Sequence, residues 1–288
     1  MNSQAITHGW AAHDWEQNWH AIVESRREMI EGLGQASGYG PQFWDRRAAQ
    51  FRRMSEQHDP DRDLLVTLLK EALQPNGSFL DVGAGTGRYT LPIAAVTQHV
   101  TAVEPSTAMR QHLEERLTAA RLTNVTIIPA SWEDAAVEPH DVVLAAHVLY
   151  PIADIVPFVR KLIAHARRAW FLTIRVQPMG IELAPLWEQI WHTSYPAEPT
   201  FLDLYSLLFS LGFRPHARLK PFTGGFGAVS LDDAVAQARS RLFLAEDNIQ
   251  HDELIRDYLT THMQQQEDDH WHWPARNQEA VVYGSSSL

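Results

Sequence analysis

The sequence predicts an α/β fold, a doubly wound, seven-stranded, mostly parallel sheet with a helical cap. Three observations carry that expectation. From residue 78 onward, short apolar runs of strand length alternate with stretches of helical period, the pattern of consecutive βαβ units. The run Phe79-Leu80-Asp81-Val82 feeds directly into a glycine-rich turn, Gly83-Ala84-Gly85-Thr86-Gly87-Arg88. A second run, Val100-Thr101-Ala102-Val103, ends on a carboxylate, Glu104.

Each element has its own justification. Residues 9–33 read as a helix, because Trp15, Trp19, Ile22, Arg26, Met29, Ile30 and Leu33 fall near one face. Glycines and Pro41 break it, and further helices are expected over 42–56 and 61–73, the second stopped by Pro75-Asn76-Gly77. The first strand is expected at 78–82. Pro92 fits a helix only in its first turn, so the helix after the glycines should start near Thr90. The second strand covers 99–103. Ser106 is a candidate N-cap for a helix with Met109, Leu113 and Leu117 at four-residue spacing. Strands at Val125–Pro129 and Asp141–Ala146, a helix from about Asp154 to Arg167 and a strand at Ala169–Arg175 complete the alternating series. Its crossovers should be right-handed.

After Arg175 the pattern changes. Residues 177–199 hold three prolines and no clean period, and read as an insertion over the strand ends. Phe201–Leu211 is helical and closed by Gly212; Phe213–Leu219 and Glu279–Tyr283 are the last two strands, antiparallel to each other. Residues 230–266 read as two helices, opened by Ser230-x-x-Asp233 and by Asp252-Glu253. His270-Trp271-His272-Trp273-Pro274 reads as a polar-aromatic loop. The expected organisation is therefore N-terminal helices over 1–74, serving as lid and outer layer, and a sheet core over 75–288. Cap insertions fall at about 177–199 and 220–275.

Composition excludes several classes of function. The 288 residues contain no cysteine, so disulfides and Cys-zinc sites are impossible, in keeping with a cytoplasmic setting. The N-terminus lacks the basic start and apolar run of a signal peptide, and nowhere do about 18 apolar residues run together, so neither a leader nor a membrane span is expected. The net charge of −11 disfavours a nucleic-acid substrate, which needs clustered Lys and Arg. Fifteen histidines raise the question of metal, but no H-E-x-x-H pattern or paired ligand spacing is present, so no metal is expected. Oligomeric state is not written in the sequence. Ten tryptophans, most of them outside the glycine-turn region, suggest an aromatic-lined pocket under the cap; the alternative is that small helices need large side chains to pack.

The turn itself separates two cofactors. In the dinucleotide fingerprint G-x-G-x-x-G the last glycine packs helix on sheet. Here the spacing is Gly83-x-Gly85-x-Gly87, and Arg88 holds the dinucleotide position. Asp81 stands before the first glycine, and a carboxylate at the mouth of the turn repels a pyrophosphate but favours an ammonium. Glu104, ending the second strand, suits a pair of ribose hydroxyls. S-adenosylmethionine (SAM) joins an ammonium, a sulfonium and an adenosine without phosphate. Phe-Leu-Asp-Val-Gly-Ala-Gly-Thr-Gly followed by Val-Glu-Pro-Ser closely resembles the first two motifs of class I SAM-dependent methyltransferases. The resemblance covers residues 78–175 firmly and the flanks only by layout.

The resemblance implies a Rossmann-like methyltransferase fold with SAM as cofactor. It implies metal-independent, in-line methyl transfer to a small-molecule acceptor, because Ala146-His147-Val148-Leu149-Tyr150 replaces the Asn-Pro-Pro-Tyr type of segment used by amino-methylating nucleic-acid enzymes. The implied cofactor residues are Asp81, Gly83, Ala84, Gly85, Thr86, Gly87, Glu104 and Pro105. Ser131, Trp132 and Glu133 would border the adenine, and Ala146 the methionine part. Tyr39, Phe43, Trp44 and Arg47 resemble an aromatic-and-basic segment placed ahead of the sheet in many small-molecule members, with Arg47 toward the SAM carboxylate. His147 is the first candidate for the base that takes the acceptor's proton, since it follows the fourth strand and titrates near neutrality; Tyr150 is its close neighbour. Arg175 is a candidate partner for a substrate carboxylate. Two other readings stay open on sequence: an NAD-dependent oxidoreductase on the same sheet, and a non-catalytic SAM-binding protein.

Overall fold

A computed structural model describes residues 13–33, 41–73, 77–221, 227–245, 249–265, 270–273 and 278–285. Helices α1 (Trp15–Gly32), α2 (Pro41–Glu56) and α3 (Leu64–Ala72) precede the sheet. Then follow β1 (Ser78–Val82), α4 (Thr90–Ala94), β2 (His99–Val103), α5 (Thr107–Ala119), β3 (Val125–Ile128), β4 (His140–Ala146), α6 (Ile155–Ala164) and β5 (Ala166–Arg175). The rest comprises α7 (Ala184–Trp191), α8 (Phe201–Ser210), β6 (His216–Pro221), β7 (Gly227–Ala228), α9 (Leu231–Arg241), α10 (Asp252–His262), β8 (Gln264–Gln265), β9 (Trp271–His272) and β10 (Gln278–Ser285).

The main sheet has seven strands in the order β3-β2-β1-β4-β5-β10-β6. All neighbours pair parallel except β10, which runs antiparallel to both β5 and β6. The order turns outward from β1 in both directions, so the switch point lies between β1 and β4, beside the glycine turn. The seven-stranded, doubly wound architecture is as the sequence predicts.

Several boundaries differ for local reasons. The helix after the glycines is short, ending at Ala94, with Pro92 seated in its first turn as expected. The sixth strand begins at His216 rather than Phe213, because Pro215 has no N–H to give a ladder. The fifth strand begins three residues early, where Ala166 pairs with His140. The 177–199 segment is not irregular throughout, since it contains α7, and the expected loop at His270–Pro274 contains β9, which joins β7 and β8 in a small second sheet.

Two apolar layers cover the sheet. On one face α1, α6 and α8 contribute Trp19, Val23, Ile155, Phe158, Leu162, Leu204 and Leu208 to a core with Leu80, Val143, Leu172 and Val282. On the other, α3 and α4 bring Leu65, Leu69 and Ile93 against Phe79, Val142, Phe171 and Val281. The alternation of Ala280, Val281 and Val282 between these layers is the period of a strand buried on both faces. A separate core forms in the cap: Leu183, Leu186 and Trp187 pack with Ala234, Val235, Leu242, Ile255 and Leu259, and Met29 and Leu33 at the end of α1 lie against it. The described tryptophans serve these cores more than any pocket. Trp19, Trp170 and Trp187 are fully buried, and Trp187 meets Trp191, Tyr195 and Phe243 ring to ring. Short cap helices need bulky side chains to close a core, and that accounts for them.

α1 is therefore an outer layer of the sheet as well as a support of the cap. Its Trp19 indole donates to the carbonyl of Ile152 at 2.8 Å. Replacing a buried Trp by Ala removes this bond and leaves a large cavity, at about 3–5 kcal/mol. Trp19→Ala should lose that much stability in urea unfolding; a loss below about 1 kcal/mol would show α1 to be peripheral to the sheet.

Candidate active site

The glycine turn is pinned by the strand beside it. Gly83 and Ala84 both donate their N–H to the carbonyl of Val103, at 2.8 and 3.1 Å. Gly85 then donates to Glu104 Oε2 at 2.8 Å, while Ser106 donates to Oε1 at 2.8 Å. The three glycines answer different demands. A side chain on Gly83 would strike Val148, which follows β4, and one on Gly87 would strike Leu91 and Leu113. Gly85 has open space where its Cβ would be, at a φ of +56°. Beside that open face stands Glu104, whose two carboxylate oxygens accept from the Gly85 and Ser106 N–H groups.

Asp81 does not stand at the mouth of the turn. It is buried behind it and accepts from the Thr90 hydroxyl at 2.6 Å, tying the first residue of α4 to β1. Burial, with Glu104 adding to it, pushes its carboxyl up to about 7. Burial also raises Glu104 above its ordinary value, against the pull of the Ser106 and Gly85 N–H groups.

α2 lies across this turn. Ser55 and Thr86 hydroxyls are 2.8 Å apart, and Asp45 accepts from the Ser106 hydroxyl at 2.7 Å and from the Ala108 N–H at 3.2 Å. Arg52 reaches Glu115 of α5. The side chains of Phe43, Trp44 and Arg47, and all of Tyr39, lie outside the described residues.

The remaining expected cofactor residues divide. Pro105 is exposed next to Glu104, and Ala146 ends β4 half-buried. Ser131 bonds Asp134 at 3.0 Å and starts the turn after β3. The Glu133 carbonyl, with those of Trp132 and Ala135, accepts from Lys161 Nζ. Trp132 is turned inward: it is 3 % exposed, donates to the Phe158 carbonyl and packs under Lys161 and beside His165. Its indole closes the sheet edge and leaves little surface for an adenine.

His147 follows β4 in a left-handed conformation, φ +58°, an uncommon one for a side-chain-bearing residue. Nδ1 lies 2.9 Å from the Tyr150 hydroxyl, and Nε2 contacts a Glu279 carboxylate oxygen. Burial lowers the imidazole's pKa, with Glu279 opposing in part. The second Glu279 oxygen meets Lys220 Nζ at 2.7 Å, and the same ammonium meets Asp63 at 2.8 Å. Burial alone would raise Glu279, but His147 and Lys220 hold it down at about 2. Tyr150 also accepts from the Arg175 backbone N–H at 2.9 Å.

Arg175 is not presented to a substrate carboxylate. Its guanidinium stacks 3.7 Å from the Tyr150 ring centre and pairs with Glu198 at 2.8 Å. Glu198 also pairs with Arg26 of α1 at 3.0 Å and accepts from the Met179 N–H. Sequence reasoning gave no role to Glu279, Lys220 and Glu198, and read Arg26 only as part of a helix face. The available signal was strongest at Glu279, a charge at the head of an apolar strand, which must find a partner.

Residues 79–169 match a family profile described as a methyltransferase domain. A putative methyltransferase from Bacillus halodurans, solved by crystallography, superposes with a TM-score of 0.53 at 13 % identity, covering 78 % of this chain and 99 % of that one. Residues 79–169 thus carry a methyltransferase domain by that profile, on a fold that the solved structure shares. Among curated proteins, an uncharacterized protein of Haemophilus influenzae is 26 % identical over 207 residues, 70 % of this chain and 75 % of that one. A probable ribosomal RNA small subunit methyltransferase A from Methanosphaera stadtmanae is 34 % identical over 68 residues, 24 % of this chain and 25 % of that one. No described helix is long and apolar enough to cross a membrane. Among the described residues no three His, Asp or Glu side chains group as metal ligands.

Two outcomes follow from this geometry. Glu104→Ala removes the acceptor of two backbone N–H groups at the position that the sequence assigns to the ribose. Lost hydrogen bonds to a charged group cost about 1.5–3 kcal/mol, so SAM affinity by calorimetry should fall about tenfold or more; unchanged affinity in the folded variant would remove Glu104 from the site. Glu198 is held at about 2, well below its ordinary 4.5: burial would raise it, but Arg175 and Arg26 outweigh that. A depressed carboxylate stabilises the folded state above its unfolded pKa, and the contribution is lost as pH falls through the folded value. Glu198→Gln, which strands two buried guanidinium groups, should lower stability at pH 7 by about 3–5 kcal/mol. The gap from the parent should narrow as pH falls from 4.5 toward 2. Parallel acid limbs in denaturant titrations would contradict the pairing.

Proposed function

We propose that the protein transfers the SAM methyl group to a small-molecule acceptor without a metal, with His147 and Tyr150 taking up the acceptor's proton. The observation that carries this reading is the buried His147–Tyr150–Glu279 cluster at the carboxyl end of β4, directly across Val148 from Gly83. Open α/β sheets bind ligands at that edge. SAM supplies a methyl carbon already activated by its sulfonium, so the protein's tasks are positioning and exclusion of water.

The chain's own residues divide these tasks. Glu104 holds the ribose, and Gly85 leaves the space beside it open. Asp81 braces the turn from behind through Thr90. Ser131 and Glu133 edge the adenine side, and Arg47 answers the SAM carboxylate. α2 serves as the lid over the cofactor, anchored by Asp45–Ser106 and Ser55–Thr86, and the cap core around Trp187 closes the acceptor side. A net charge of −11 supports a small acceptor over a polyanionic one. The short likeness to the Methanosphaera stadtmanae protein favours RNA as the second reading, and it spans only a quarter of each chain.

Incubation of the full chain with methyl-tritiated SAM and a size-fractionated cell extract separates the readings. Label should enter the low-mass fraction and be unaffected by EDTA. Label in RNA or protein would overturn the acceptor class, and loss of transfer restored by a divalent ion would overturn metal independence. Transfer that survives His147→Gln undiminished would remove His147 as base.

A further inference from the structure

The polar atoms around His147 form a chain whose donors and acceptors can be ordered from one end. An ionised carboxylate only accepts, and Lys220 holds Glu279 in that form, so Nε2 of His147 carries the proton that a Glu279 oxygen accepts. In the neutral imidazole Nδ1 then bears no proton, and the Tyr150 hydroxyl, 2.9 Å away, donates to it. Tyr150 Oη in turn accepts from the Arg175 N–H. The other Glu279 oxygen is matched by Lys220, 2.7 Å away, and Lys220 is matched by Asp63, which in turn meets His58 at 2.7 Å and the Leu65 N–H at 2.7 Å. Glu279, Lys220 and Asp63 are buried, with side-chain exposures of 1, 10 and 5 %.

Topology makes this possible. Within the seven-stranded sheet β10 alone runs antiparallel, so its beginning, not its end, lies at the carboxyl edge. Glu279 is its second residue, in register with Arg175 on one side and Lys220 on the other. A parallel strand in the same place would carry Glu279 to the far edge, away from His147.

Resting on the reading of His147 as the base, we propose that Glu279, anchored by Lys220, is a positioning residue that holds His147 as its Nε2–H tautomer, so that the acceptor's proton reaches Nδ1 through the Tyr150 hydroxyl. The step balances. As the acceptor atom forms its bond to the methyl carbon and the carbon–sulfur bond breaks toward sulfur, the acceptor's proton passes to Tyr150 Oη and the phenolic proton passes to Nδ1. The imidazolium produced is paired with the Glu279 carboxylate. Tyr150 stays neutral throughout, in keeping with a hydroxyl whose ionisation burial strongly opposes.

The groups that bear on His147 are Glu279 of β10, Tyr150 of the segment after β4, Arg175 of β5 and Arg88 of the turn before α4. Glu279 favours the imidazolium, and both arginines oppose it. Removing Glu279's charge should therefore lower the His147 midpoint.

The test uses the full chain labelled with 15N-histidine and saturated with S-adenosylhomocysteine, with His147→Gln assigning the resonance. In the parent protein the neutral imidazole should show the Nε2–H pattern. In Glu279→Gln the His147 midpoint should fall by about one pH unit or more. Lys220→Met, which leaves the Glu279 carboxylate in place without its anchor, should disturb the tautomer pattern while far-UV circular dichroism stays unchanged. An Nδ1–H pattern in the parent, or an unmoved midpoint in a folded Glu279→Gln protein, overturns the assignment. These readouts need no acceptor. Failure of the base reading shows instead as undiminished methyl transfer by His147→Gln, so the two failures are distinguishable.

Discussion

Charges buried at the carboxyl edge of the sheet must be paired, and that requirement ties together parts of the chain that lie far apart in sequence. An unpaired ion in such a place costs several kcal/mol, so each buried charge fixes the position of its partner. Glu198 draws Arg26 of α1 and Arg175 of β5 to one point. Lys220 draws β10 and the start of α3 to another, through Glu279 and Asp63. The outer helices, the inverted strand and the segment after β4 are thereby locked around the same edge. The apolar layers give the sheet its bulk stability, and the ion pairs set the registration between sheet, α1 and α3 that the site depends on.

The glycine turn is fixed by a different means. Apart from the Thr86 hydroxyl, which meets Ser55, it is held by its own backbone against the neighbouring strand. The Val103 carbonyl takes two N–H groups and Glu104 takes a third, which makes β2 the template for the loop that follows β1. Gly83 and Gly87 are crowded by Val148, Leu91 and Leu113, whereas Gly85 has open space over it and is favoured by its φ of +56°. Substitution at the first two would be a packing failure, and at the third a backbone strain.

Legibility in the sequence followed the range of the interaction. The strands from 78 to 175, the Ser106 cap and the Glu104 position were readable because periodicity, capping and turn chemistry are local. His147 and Tyr150 were singled out because the open-sheet rule points to the end of the fourth strand, and their side chains do meet there. The partners that define the cluster were not. Glu279 lies 132 residues from His147, and only the pairing of β10 between β5 and β6 brings them together. Asp81 was placed at the mouth of the turn on charge alone; its bond to Thr90, nine residues on, depends on how α4 meets β1. Trp132 was offered to the adenine because it follows β3, but its size made it more useful against α6. The cap's tryptophans carried no period because short helices and two-residue strands are too brief to show one.

The carboxylates of the site fall into two groups, and the division bears on what the site accepts. Glu279, Glu198 and Asp63 sit among cations that hold them below their ordinary values. They are spent on internal pairing and leave little charge for a ligand. Asp81 and Glu104 are buried without a comparable set of cations, and both are raised. A carboxyl raised by burial is held less firmly as an anion than one paired with a cation, whereas the His147 side is neutralised from within. A positive charge arriving beside the turn would favour the carboxylate forms and bring both groups back toward their ordinary range, and a pyrophosphate would push them further up. Strand order sets where an open sheet binds a ligand, and the charge balance at that edge bears on the ligand's sign.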